Sequence, residues 1–135
     1  MKKSTYIRKL VTIFLLAILS FNLPALKASA SVNEPTKTWN LSKKGTYKGS
    51  GSAKGTSLYS NYYFTGVSKM KFTVNNTGSS DITVNIYRKD GFFSYYRIKV
   101  EAYSTAIWNM NTDSQKKYEV KFSAPCKFNY SVAKG

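Results

Sequence analysis

From Leu58 to the C-terminus, apolar and polar residues alternate with a period close to two, the pattern of strands with one buried face. "KMKFTV" (69–74) sets Met70, Phe72 and Val74 against Lys69, Lys71 and Thr73. "DITVNIY" (81–87) sets Ile82, Val84 and Ile86 against Thr83, Asn85 and Tyr87. "KYEVKFSA" (117–124) and "KFNYSVA" (127–133) supply Tyr118, Val120, Phe122, Phe128, Tyr130 and Val132 as one apolar set, with Pro125 at the boundary between two strands. Earlier in the chain, "TKTWNL" (36–41) offers a first strand with Trp39 and Leu41 on one face. "SLYSNYYF" (57–64) is strand-like by its tyrosines, and "STAIW" (104–108) adds another. The pattern predicts an all-β fold: an antiparallel β-sandwich, Ig-like or jelly-roll-like, of seven to eight short strands, with a small barrel as the alternative. Residues 43–57, "KKGTYKGSGSAKGTS", read as a Gly/Ser/Lys-rich loop.

"DGFFSYYRIKV" (90–100) packs four rings into a stretch that a half-buried strand alone does not explain. Ile98 and Val100 fix the even positions, Tyr96 included, as inward. A two-residue Asp90-Gly91 turn would set Val84 opposite Arg97 and drive the guanidinium into the core. A three- or five-residue loop centred on Gly91 pairs Ile86 with Tyr96, Val84 with Ile98 and Ile82 with Val100, so the longer loop is expected. The outer face then carries Tyr87 beside Tyr95, Asn85 beside Arg97, Thr83 beside Lys99 and Lys89 beside Phe93. Tyr87, Phe93 and Tyr95 are candidate platforms for sugar rings, and Lys89, Arg97 and Lys99 are candidate partners for phosphate or carboxylate. The same rings could instead serve cross-strand pairing or a dimer contact.

The first thirty residues have a basic start (Lys2, Lys3, Arg8, Lys9), an apolar run from Leu10 to Phe21 and the small-residue site Ala28-Ser29-Ala30. This three-part layout predicts a cleaved secretory signal peptide over 1–30 and a single domain over 31–135. Five of the 21 basic residues and none of the six acidic ones precede residue 31, which leaves a formal charge of +10 after it. An excess of that size favours anionic partners. For a secreted chain these are anionic cell-wall polymer or glycan, or an anionic membrane surface, and nucleic acid is disfavoured. The expected location is extracellular, with non-covalent association to the wall as an option.

Candidate chemistry narrows the picture further. The chain contains no histidine, which removes Ser-His and Cys-His nucleophile pairs, and its lone Cys126 allows neither an intrachain disulfide nor a Cys-rich zinc site. Cys126 shares parity with Phe128, Tyr130 and Val132, so a buried thiol is expected. "GSGSAKG" (49–55) spaces its third glycine one residue too far for GxGxxG. "NMNTD" (109–113) starts like a calcium loop but lacks the following Gly and distal Glu, and reads as a turn bonded to its own backbone. No cofactor, metal or catalytic residue is expected, and the chain is read as a non-enzyme. "SLYSNYYF", following a Trp and a Gly-rich basic segment, resembles a stretch of lactococcin-type bacteriocins, which are small secreted β-sandwich proteins. The resemblance covers eight residues and implies a secreted antimicrobial or membrane-active role as the alternative to envelope-polymer binding.

Overall fold

Ten strands and one helical turn build the computed structural model, which describes residues 29–135. All of the expected signal segment except Ser29 and Ala30 lies outside the described residues. Those two residues engage the fold: Ser29 bridges to Ser50, and Ala30 donates its N–H to Ser50 O at 2.7 Å. In chain order the elements are β1 (Lys37–Asn40), α1 (Leu41–Lys44), β2 (Tyr47–Ala53), β3 (Leu58–Tyr59), β4 (Tyr62–Thr65), β5 (Lys69–Asn76), β6 (Ile82–Arg88), β7 (Ser94–Val100), β8 (Thr105–Asn111), β9 (Tyr118–Phe122) and β10 (Cys126–Lys134). Among the described residues no helix is long and apolar enough to cross a membrane.

The strands form two packed sheets. One runs β1-β4-β9-β6-β7, with β3 also paired to β9, and the other runs β2-β10-β5-β8. All pairs are antiparallel except β1 with β4, which is parallel. The chain leaves β1 for the second sheet, forms β2 there and returns through β3, so β4 arrives running in the same direction as β1. The all-β sandwich is as expected, with more strands than the seven to eight counted. "SLYSNYYF" divides into β3 and β4 around Ser60, whose Oγ donates to Tyr62 O at 2.9 Å and accepts from Val120 N–H at 3.1 Å. "STAIW" continues through Asn111, so the first three residues of "NMNTD" are strand rather than turn.

The inward sets predicted by alternation make the core. Met70, Phe72, Val74, Ile82, Val84, Ile86, Tyr118, Val120, Phe122, Phe128, Tyr130 and Val132 are all buried. The sheets meet along rings: Phe122 of β9 stacks on Phe128 of β10 at 3.9 Å between centroids, and Tyr47 of β2 packs against Tyr62 and Phe64 of β4. Cys126 is buried as expected, and burial raises its thiol pKa.

The expected loop over 43–57 is corrected. Residues 47–53 are β2, paired along its full length with β10 from Tyr47 opposite Val132 to Ala53 opposite Cys126. Glycine is there because rings lie over it. A Cβ on Gly49 would come within 2.6 Å of the Tyr130 ring, and one on Gly51 within 2.7 Å of the Phe128 ring. Composition alone suggested mobility, whereas the glycines are the floor on which two core aromatics rest.

Two substitutions separate these readings. Gly49→Ala is expected to destabilise the fold by about 1–3 kcal/mol through overpacking. Gly55→Ala, where a Cβ meets nothing within 4 Å, is expected to leave stability within ~0.5 kcal/mol. Urea or thermal melts of both variants check this, and equal effects would restore the loop reading.

Candidate functional site

The β6–β7 hairpin follows the long-loop register for most of its length. Ile82 pairs with Val100, Thr83 with Lys99, Val84 with Ile98, Asn85 with Arg97 and Ile86 with Tyr96, and residues 89–93 form the five-residue connection. A β-bulge then intervenes, and Tyr87 pairs with Ser94 rather than Tyr95. The extra residue in β7 reverses the parity of everything before it. Ser94 therefore joins the outer face, its Oγ 3.2 Å from Asn85 Oδ1. Tyr95 leaves that face: its ring packs at 5.5 Å on core Tyr118, and its hydroxyl donates to Asn111 O of β8 at 3.1 Å.

The expected ladder of three rings is corrected accordingly. Tyr87 is half-buried on the outer face. Tyr95 ties the hairpin to the opposite sheet. Phe93 sits in the connecting loop beyond the ladder, 86% exposed, and is not paired with Lys89. Lys89 instead places its ammonium 5.1 Å above the ring of Tyr63. Tyr96, expected inward, is partly exposed because β7 is an edge strand.

Arg97 and Lys99 do stand on the outer face, and the sheet order adds residues that reading along the chain did not join to them. Strand β9 lies beside β6, with Lys121 opposite Asn85 and Glu119 opposite Tyr87. An open groove of about 590 Å³ results, lined by Tyr87, Arg97, Lys99 and Lys121 with the hydroxyls of Ser57, Thr83 and Ser123 and the amide of Asn85. Its cations are held in three ways. Arg97 Nε donates to Asn85 Oδ1 at 2.9 Å, which aims the guanidinium without neutralising it. Lys121 Nζ lies 5.6 Å from the Tyr59 ring centroid. Lys99 pairs with Asp81 at 3.3 Å, and Asp81 also accepts the Ala102 N–H at 2.9 Å; that backbone bond first, then Lys99, lowers its carboxyl pKa. Among the described residues, neither Arg97 nor Lys121 makes an ion pair. The alternation of β9 already put Lys121 outward; its neighbours could be found only from strand order.

Glu119 borders the groove and had no signal in the sequence. It is 7% exposed on a central strand, and its Oε2 has no hydrogen-bond partner among the described residues. Burial first, and then the Glu34 carboxyl facing it, raise its pKa to about 7 against the favourable charge of Lys121. Glu119 therefore holds its proton under mildly acidic conditions. Glu34 belongs to the segment before β1, which is bound to the same sheet through the mutual Ser31–Tyr59 backbone bonds of 2.9 and 2.6 Å. Asp113 bonds Gln115 N–H at 2.9 Å, the self-bonded turn expected for "NMNTD".

Comparison with known proteins adds little to this geometry. No family model matches the chain, and no curated protein matches it. Among solved structures, the chain is similar to a crystal structure of Aeromonas hydrophila PliG, a periplasmic lysozyme inhibitor of g-type lysozyme. The two share 15% identity with a TM-score of 0.44, over 75% of this chain and 98% of that one. A likeness of that degree does not carry function.

Glu119 makes stability depend on pH. Its folded pKa of about 7 lies above the ordinary value of 4.5, so the folded chain holds the proton more tightly than the unfolded one. The contribution is fully present below about pH 4.5, falls as pH rises through 7, and is then flat. The loss is on the order of 3 kcal/mol. Glu119→Gln is expected to flatten the curve over this window and to be the more stable form at pH 8. Chemical denaturation at pH 5, 6, 7 and 8 tests this, and parallel curves for the two proteins would exclude Glu119 as the titrating group.

Proposed function

We propose that the protein is a secreted, non-enzymatic binder of an anionic, glycan-rich envelope polymer, which it holds in the groove on the outer face of β6, β7 and β9. The observation that carries the reading is the juxtaposition of one ring, Tyr87, with Arg97 and Lys121, two cations that make no ion pair among the described residues, inside a rim of hydroxyls and an amide. A sugar ring presents an apolar C–H face and a polar edge, which suit Tyr87 and the Ser57, Thr83, Asn85 and Ser123 side chains. Phosphate or carboxylate on the polymer suits the planar guanidinium of Arg97, held in place by Asn85, and the ammonium of Lys121. Phe93 borders an adjoining depression with Tyr87 and Arg97 and extends the apolar surface toward the hairpin tip. Lys99 enters as a paired charge whose Asp81 partner a polyanion would displace, and Lys89 supports the far edge of the face over Tyr63.

The carboxylates support the absence of catalysis in this reading. Glu34 faces Glu119 directly rather than across a cleft that could receive a glycosidic bond. Asp81 and Asp113 are engaged in separate turns.

Binding to purified wall polymer by pull-down at low and high salt tests the proposal. Arg97→Ala and Lys121→Ala are each expected to weaken binding several-fold and to reduce its salt dependence, and Tyr87→Ala to weaken it at both salt levels. Equal retention of wild type and all three variants would remove the groove from the mechanism.

A further inference from the structure

The most anomalous surface lies outside the groove, at the tip of the β6–β7 hairpin. Phe92 is 97% exposed and Phe93 86% exposed, side by side in the loop 89–93. Neither supports the core, and rings that stay in water gain almost nothing from folding. The loop that displays them is heavily braced. Asp90 receives Arg88 Nε at 2.8 Å and Lys116 Nζ at 3.2 Å, which links the hairpin to the β8–β9 loop. Lys89 N–H donates to Lys117 O and Gly91 N–H to Arg88 O, both at 2.9 Å. A second open depression, lined by Tyr87, Phe92, Phe93, Tyr95, Tyr96 and Arg97, continues the aromatic surface behind the tip.

The geometry points to docking of this tip at an anionic membrane interface: we propose that Phe92 and Phe93 enter the headgroup–acyl boundary while Arg88, Lys89, Lys116 and Lys117 meet the anionic headgroups. Charge and area both favour lipid over a folded protein partner. Those four cations, Arg88 at the end of β6 and three on the two adjoining loops, outnumber Asp90 and Asp113, a surplus that complements an anionic surface. Two phenylalanine rings bury about 150–250 Å² each, well short of the roughly 800 Å² per partner of a stable protein interface. Entry into a fluid interface requires no matching pocket, and rings paired with cations one step back are the arrangement that such an interface rewards. This site adjoins the groove, with which it shares Tyr87 and Arg97, but does not depend on its ligand.

The test is flotation of the full chain with phosphatidylcholine vesicles and with vesicles containing 30% phosphatidylglycerol, at low and physiological salt. Wild type is expected to float with the anionic vesicles. Phe92→Ser with Phe93→Ser together is expected to reduce that binding at least tenfold at physiological salt. Lys121→Ala, a groove change, is expected to alter it by less than twofold. In a Phe92→Trp variant the added emission is expected to shift to the blue, and to be quenched by lipid brominated near the headgroup end of the chain. No flotation of wild type, undiminished binding by the double serine variant, or an unshifted tryptophan would each overturn the proposal. Polymer binding reads Arg97 and Lys121 while vesicle binding reads Phe92 and Phe93, so failure of one assignment is distinguishable from failure of the other.

Discussion

The contact of Phe122 with Phe128, 3.9 Å between ring centroids, is the seam on which the molecule depends. It joins β9, a central strand of one sheet, to β10, a central strand of the other, in a chain with no disulfide to brace it. Tyr130 completes the seam 5.0 Å from Phe122, and both β10 rings lie over glycines of β2. Because side chains alternate strictly along a strand, placing Tyr118, Val120 and Phe122 inward sends Glu119 and Lys121 outward. The packing that holds the sheets together thus also sets two of the groups that shape the outer groove.

A second device acts on the same face. The bulge in β7 redistributes the aromatic run of 92–96 among three tasks. Tyr95 packs on Tyr118 of its own sheet and reaches the opposite sheet through its hydroxyl bond to Asn111 O. Ser94 takes the outward place beside Asn85, a small hydroxyl where a ring was expected. Phe92 and Phe93 are left in the connection, free of the ladder and exposed. Clearing a second ring from the face leaves room beside Tyr87 in the groove, while the rings in the loop form a separate apolar tip. One inserted residue separates a polar, cationic recess from a protruding hydrophobic one.

Charge placement follows a related division. Four of the six acidic residues (Asp81, Asp90, Glu101 and Asp113) lie in connections between strands, where those with described partners bond turn backbone or cations. The other two, Glu34 and Glu119, face each other at the edge of the groove, where burial keeps Glu119 protonated below about pH 7. The groove cations therefore have little acidic competition in mildly acidic surroundings. Above that pH a negative charge develops on Glu119 beside Tyr87 and the electrostatic character of the face changes.

The alternation of Ile82, Val84 and Ile86 with Ile98 and Val100 was enough to specify the hairpin register up to Ile86, because the two-residue turn, one residue out of step, buries Arg97. By the same logic the chain named its core, the burial of Cys126 and its all-β class. Three things were beyond it. The strand at 47–53 has few side chains to alternate, so its pairing became visible only with the rings of Phe128 and Tyr130 above its glycines. The bulge falls between Ser94 and two adjacent tyrosines, where parity leaves no mark, and Tyr95 was decided by its reach to Tyr118 and Asn111. The groove and the Glu34–Glu119 pair join residues distant in sequence, and strand order brings them together. Local periodicity determines which way a side chain points from its own strand, but only the tertiary arrangement of strands decides what it points at.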